Sequence, residues 1–225
     1  MHDFLNMMQT LDAFFPIGTF TMSNGLEDYV VRNRLISAKD LAAYIDQYIQ
    51  IVPYNDLGLL YLSWKHGDDQ KYICQLNLTA LAVKSAQEIR NGSAKMCTRF
   101  IKARKAMKDC RDRLSWYGDW LKKSQTQGVF AIALGLHTYD LETGIDTVLE
   151  MYLYNMLSAI VNNAVKLVPL SQMDGQKILF ESLSAIGRAA ETAKKIELED
   201  IGVNGAAMDI HSMNHAYLYS RQYIS

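Results

Sequence analysis

Apolar residues recur along this chain at helical spacing. Leu41, Tyr44, Ile45, Tyr48 and Ile49 follow i, i+3, i+4 steps behind Ser37, an N-cap candidate with Asp40 three residues on. Pro53 interrupts the pattern, and Leu57, Leu60, Tyr61 and Trp64 resume it up to Gly67. Residues 69–90 predict a further helix, terminated by Asn91-Gly92. Ser93 would cap the next one, whose inner face holds Met96, Cys97, Phe100 and Ile101. The clearest pattern runs from 143 to 168. Val148, Leu149, Tyr152, Leu153, Met156, Leu157, Ile160, Val161 and Ala164 keep the period, and only Asp146, Glu150 and Lys166 are charged. A helix this apolar is buried on several sides, as the centre of a bundle or at a subunit interface, with Tyr152, Tyr154 and Met156 as interface candidates. Pro169 ends it, and Ser171 caps a following helix with Ile178, Leu179, Leu183 and Ile186 on one face.

No stretch alternates with the period of two expected of a half-buried strand. The prediction is therefore all-α: one multi-helix bundle spanning residues 1–225, with a central apolar helix. The last residues, 217–225, are expected to be a mobile tail, because order at a chain end usually needs a partner. Ile210, Met213 and Tyr217 would form the docked face of a helix just before it.

Composition narrows the function. With 49% hydrophobic and 21% charged residues in 225, the chain can bury a core without metal or disulfide support. A net charge of −1 offers no field to recruit nucleic acid or an anionic membrane, so neither is an expected partner. Cys74, Cys97 and Cys110 fit no metal spacing and are expected to be buried free thiols in a reducing compartment. The first residues lack the basic and apolar regions of a secretory signal, and no stretch is long and apolar enough to span a bilayer. A cytoplasmic protein is the expectation.

The chemistry-bearing motifs of common enzymes are missing: no phosphate loop, no dinucleotide fingerprint, no C-x-x-C, H-E-x-x-H or G-x-S-x-G. No catalytic residue, cofactor or metal is assigned. His211 and His215, four apart on a helix, share a face that could present two imidazoles to nickel or zinc, but two ligands do not close a site, and surface or interface histidines are the default. His2, His66 and His137 are isolated, with a loop or core role as the default. Lys95, Arg99, Lys102, Arg104, Lys105, Lys108, Arg111 and Arg113 make a basic face that could meet an acidic protein, with a solvated helix surface as the simpler reading.

Residues 14–27 combine turn formers with large apolar side chains, and suit equally a turn packed on the core or a binding loop. Ser23 or Asn24 could cap the helix that follows, with Glu27 answering Asn24 or favouring the positive helix end. This segment resembles the urease accessory protein F family, whose motif is close to Pro-Ile-Gly-Gly-Phe-Ser-Tyr-Ser-x-Gly-Leu-Glu. Pro16, Ile17, Gly18, Phe20, Ser23, Gly25, Leu26 and Glu27 match, while Thr19 and Met22 depart from it. Three more blocks agree in order. Glu88-Ile89-Arg90 is similar to the family's Glu-Leu-Arg. Val168-Pro169-Leu170-Ser171-Gln172, with Gln176, is similar to its Val-Pro-Leu-Gly-Gln and later Gln. His215, Tyr217, Tyr219, Ser220 and Arg221, closing at Ser225, are similar to its terminal His-Glu…Tyr-Ser-Arg block, although Ala216 replaces the acidic residue and Gln222, Tyr223 and Ile224 differ.

The resemblance implies an all-helical homodimer that bridges the nickel-binding GTPase (urease accessory protein G) and a scaffold (accessory protein D or H), so that nickel reaches apo-urease. It makes the matched residues of the four blocks partner-binding candidates, and it implies that this subunit neither hydrolyses GTP nor keeps nickel. Two other readings stand beside it: a helical adaptor outside urease maturation, and a helical enzyme with scattered catalytic groups.

Overall fold

The structure, a computed structural model, describes residues 2–19, 22–203 and 205–223. Among these there is no strand, and the chain is built from helices: α1 (His2–Leu11), α2 (Leu26–Val31), α3 (Ala38–Ile51), α4 (Asp56–Lys65), α5 (Gln70–Val83), α6 (Gln87–Ala106), α7 (Asp112–Lys123), α8 (Phe130–Thr138), α9 (Ile145–Leu167), α10 (Gln172–Ala193) and α11 (Ala206–Asn214). No helix among the described residues is long and apolar enough to cross a membrane.

The caps read from the sequence form where local chemistry alone decides them. Ser37 Oγ accepts from the Asp40 amide at 3.3 Å and donates to its carboxylate, starting α3. Ser171 and Asp174 close a reciprocal capping box at the start of α10. Pro53 lies in a short 3-10 turn (Val52–Tyr54) that separates α3 from α4.

Two expectations about helix boundaries and centrality are corrected. Asn91-Gly92 does not end a helix: α5 stops at Val83 and α6 runs unbroken from Gln87 to Ala106. The side chain of Met22 lies over Gly92, so a Cβ there would collide with it; this glycine serves close packing rather than termination. Ser93, inside α6, caps a different helix: its Oγ accepts the Phe130 amide at 3.1 Å, at the start of α8. The most buried helix is α8 rather than α9. All nine of its residues, from Phe130 to Thr138, are buried. It packs closely on α4, with Gly135 against Ser63 and the Leu60 carbonyl. The long helix α9 lies beside this centre, burying Val148, Leu149, Tyr152, Leu153, Leu157, Ile160, Val161 and Ala164 while exposing Tyr154.

Two smaller corrections follow. Leu183 projects from α10 into solvent while Ile178, Leu179 and Ile186 face the core. The three cysteines are free, but only Cys97 is fully buried; Cys74 and Cys110 are half-buried, and Cys110 lies in the turn after α6. Burial pushes the Cys97 thiol up to about 12, so it is inert at neutral pH.

Candidate functional site

The site begins with a glycine. Gly25 takes a left-handed conformation (φ 83°) as the N-cap of α2, and no side chain caps that helix. Asn24 also has positive φ (52°), and Ser23 contributes its carbonyl to the Leu26 amide rather than its hydroxyl; its Oγ has no hydrogen-bond partner among the described residues. The expected cap from Ser23 or Asn24 is therefore replaced by a glycine turn. The absence of a side chain lets α11 come against this turn. A Cβ on Gly25 would lie 2.7 Å from Ser212 Oγ and 2.9 Å from the Ser212 amide nitrogen.

That approach delivers α11 to two consecutive buried carboxylates, Glu27 and Asp28. Glu27 does not turn back to Asn24. Its Oε2 lies 2.9 Å from His215 Nε2, and His215 Nδ1 lies 2.7 Å from Glu88 Oε2 on α6. Arg221 adds a guanidinium, 2.6 Å from Glu88 Oε1. The amide of Gln222 donates to Glu27 Oε1 at 2.8 Å and that of Tyr223 to Oε2 at 3.3 Å. Beside this cluster, Asp28 meets His211 Nδ1 at 2.6 Å and Arg32 Nε at 2.9 Å, and the Tyr29 ring covers His211 with centroids 3.6 Å apart. Burial, and then the Asp28 charge, push the Tyr29 phenol above its ordinary range. Burial followed by the Glu27 charge does the same to Tyr223.

The arrangement is a clasp. Charge-assisted bonds tie the C-terminal segment to the N-terminal loop and to α6, and they are among the stronger contacts a protein makes. Residues from three of the four sequence blocks, Glu27, Glu88, and His215 with Arg221, meet here. The two histidines share a face as their spacing predicts, but His211 turns to Asp28 and His215 to Glu27 and Glu88, and no group of three potential metal ligands is found among the described residues. Asp28 and Arg32 were not singled out in the sequence. The signal was there in a Glu-Asp pair opening a short helix, with two histidines four apart near the other end of the chain.

The clasp inverts α11. The expected inner face of Ile210, Met213 and Tyr217 is the outer one, with Tyr217 87% exposed, while Met208, Ser212 and His215 are buried. Tyr219 and Ser220 are also exposed. A polar face turns inward because the carboxylates of Glu27 and Asp28 lie there as partners for His215 and His211.

The remaining candidates lie apart. Pro16 is exposed; Ile17 is buried, and its carbonyl accepts from Arg99; Gly18 has positive φ (86°) and Leu26 is fully buried. Phe20, and with it Ile224 and Ser225, lies outside the described residues. Arg90 donates to the carbonyls of Lys84 and Ser85, tying the junction of α5 and α6. Gln172 and Gln176 are exposed on the first turns of α10, away from the clasp. Of the interface candidates, Tyr152 is 4% exposed and belongs to the protein's own core, packed near Phe130. Met156 is half-buried, receiving a contact from the Tyr48 hydroxyl, and only Tyr154 stands free at 42% exposure.

The UreF family profile matches residues 35–183. A urease accessory protein UreF from Actinobacillus pleuropneumoniae serotype 5b (strain L20) is 34% identical over 222 residues, covering 97% of each chain. One from Haemophilus influenzae (strain PittGG) is 33% identical over 223 residues, covering 97% of this chain and 94% of its own. The chain belongs to the UreF family of urease accessory proteins.

Proposed function

We propose that this protein is a urease maturation factor that works by binding rather than catalysis, bridging the nickel-binding GTPase and the D/H scaffold subunit in the cytoplasm so that nickel is delivered to apo-urease. The observation that carries the reading is the clasp. Three blocks that resemble the family's converge on Glu27, Glu88, His215 and Arg221, and between His215 and Arg221 the segment holds Tyr217 and Tyr219 outward. Tyr and Arg are the residue types that most often anchor interfaces. The reading gives Tyr217, Tyr219 and Arg221 to the scaffold subunit, and it makes the segment beyond Tyr217, held in the free protein only by Arg221 and the Gln222 and Tyr223 amides, the part that partner binding secures. It makes the protein a homodimer through the flank of α9 and α10, where Tyr154, Met173, Phe180 and Leu183 are exposed. Exposed apolar side chains grouped on one flank suit a subunit contact. In this reading nickel is cargo, and the subunit keeps no cofactor.

The test is a truncation after His215 in cells expressing the urease subunits and the other accessory proteins. Removing 216–225 takes Arg221 and the Gln222 and Tyr223 amides from the clasp but leaves His215, so it should lower stability without unfolding the protein while abolishing scaffold co-purification and urease activation. Co-purification at wild-type stoichiometry would overturn the assignment of the tail to the scaffold.

A further inference from the structure

A groove of about 820 Å³ runs between α6 and α7 and ends at the 125–128 turn, on residues that none of the partner contacts proposed above uses. Its walls are aliphatic, formed by Ala94, Leu121 and the edge of Ile101. Gly118 keeps α7 close to α6 there; a Cβ would approach Ile101 to 3.2 Å. The rim is cationic. Lys95, Arg99, Lys102 and Lys105 run along α6, and Lys122 stands opposite on α7. Lys105 meets Asp119 at 3.6 Å and Arg99 donates to the Ile17 carbonyl, whereas Lys95, Lys102 and Lys122 have no carboxylate partner among the described residues. Three unpaired ammonium groups beside an aliphatic trough make an amphipathic surface of one charge sign.

We propose that this groove docks a partner protein through an acidic amphipathic helix. The cations on α6 fall at 95, 99, 102 and 105, the period of one helix face, over roughly 15 Å of axis. A partner helix lying alongside would present carboxylates at the same three- and four-residue spacing and set its aliphatic side chains against Leu121 and Ile101. Nucleic acid fits less well. The trough offers no aromatic platform for bases, and the net charge of −1 leaves no long-range field to hold a polyanion. This inference is independent of the urease assignment.

The probe is a fluorescein-labelled helical peptide of about four turns, with Glu at i, i+4, i+7 and i+11 and Leu on the adjoining face, titrated into the full-length protein and followed by anisotropy. The expected result is saturable binding that weakens about tenfold in the Lys95→Glu/Lys102→Glu/Lys122→Glu variant and at several-fold higher salt. Thr98→Trp, which fills the trough without changing charge, should weaken it by a similar factor. All four positions are exposed, so circular dichroism and melting should match wild type. No binding to the folded protein, or binding unaffected by charge reversal, overturns the proposal. So does equal affinity for polyglutamate or a single-stranded oligonucleotide, which would mark a generic polyanion surface.

Discussion

His215 Nε2 and Glu27 Oε2 lie 2.9 Å apart although 188 residues separate them in sequence. The opposite ring nitrogen faces Glu88, so both nitrogens of a fully buried imidazole meet carboxylates. A neutral imidazole has one N–H, so the ring donates to one of them at most unless it carries a second proton. The clasp is one shared cluster, in which His215 bridges Glu27 and Glu88 and the Arg221 guanidinium balances Glu88.

Removing the imidazole should expose that balance. His215→Ala leaves Glu88 to Arg221 and the buried Glu27 to the Gln222 and Tyr223 amides alone, and breaking a buried pair from one side costs about 3–5 kcal/mol. Glu27→Gln removes that buried charge, so the double variant should be less damaged than the sum of the singles by about 1–3 kcal/mol. Denaturant unfolding of the four proteins measures the coupling. Strict additivity would mean that the contact contributes nothing to stability.

Gly25 makes the clasp geometrically possible. Gly25→Ala forces a side chain into left-handed φ, about 1–2 kcal/mol, and drives its Cβ onto Ser212. The outcome should be local: α11 and the residues after it detach, seen as faster amide exchange across 206–223, while the α4–α8 core keeps its protection. Ser212→Ala should not rescue it, because the Ser212 amide nitrogen stands 2.9 Å away after the hydroxyl is gone. Full rescue would place the obstruction in the hydroxyl alone.

What the sequence disclosed, and what it hid, follows from how local each interaction is. The caps at Ser37 and Ser171 are decided within three or four residues, and α9 is long enough to display its period. The central helix α8 escaped notice because its nine residues are buried on every side and so have no polar face to create a pattern. Ser93 reads as a cap in both accounts, but of a helix that begins 37 residues later, a pairing only the tertiary fold can make. The inversion of α11 has the same origin. Apolar Ile210, Met213 and Tyr217 look like an inner face until the carboxylates of Glu27 and Asp28 are known to lie beneath the other side. The family blocks named Glu27, Glu88, His215 and Arg221 separately; nothing in their spacing said they would touch.

His137 predicts a pH dependence. Burial, and then the Arg104 charge, hold its pKa down to about 3, with Asp109 opposing only in part. Between pH 6.5 and about 3 the unfolded chain binds a proton that the native state refuses, so stability is intact above pH 6.5 and falls through that window as acid is added. The slope from this one group approaches 1.4 kcal/mol per pH unit, for a total of a few kcal/mol. His137→Gln should flatten the acid limb of the stability curve by about one proton's worth. An unchanged slope would show that His137 already titrates normally in the fold.

The two tyrosines of α9 should behave oppositely. Tyr152→Asp puts a carboxylate into the core and should unfold the protein, whereas Tyr154→Asp acts on the exposed flank. Leu183 of α10 lies on that flank: Gly187, one turn further along α10, faces Glu150, one turn before Tyr154. With Phe180 at 75% exposure nearby, the proposed dimer would lose its apolar contact, and Tyr154→Asp/Phe180→Asp should run as a folded monomer in light scattering. A wild-type protein that is already monomeric at micromolar concentration would refute the dimer.

The outward face of α11 gives the most selective handle on the proposed scaffold contact. Ile210 and Met213 are exposed at about half their surface, on the side of the helix opposite His215, and the exposed Tyr217 follows in the next turn. Met213→Asp touches neither the clasp nor the core, so its stability cost should stay within about 0.5 kcal/mol. If this face meets the scaffold subunit, an aspartate there is buried unpaired on binding and should weaken the complex by about 2 kcal/mol or more, enough to remove it from a co-purification. His215→Ala should weaken the same complex by another route, loosening the segment that presents the face. Comparing the two separates contact from presentation: Met213→Asp keeps amide protection across α11 and loses the partner, while His215→Ala loses both. A Met213→Asp protein that retains wild-type scaffold binding would remove α11 from the interface and leave the residues beyond Tyr217 as its remaining candidates.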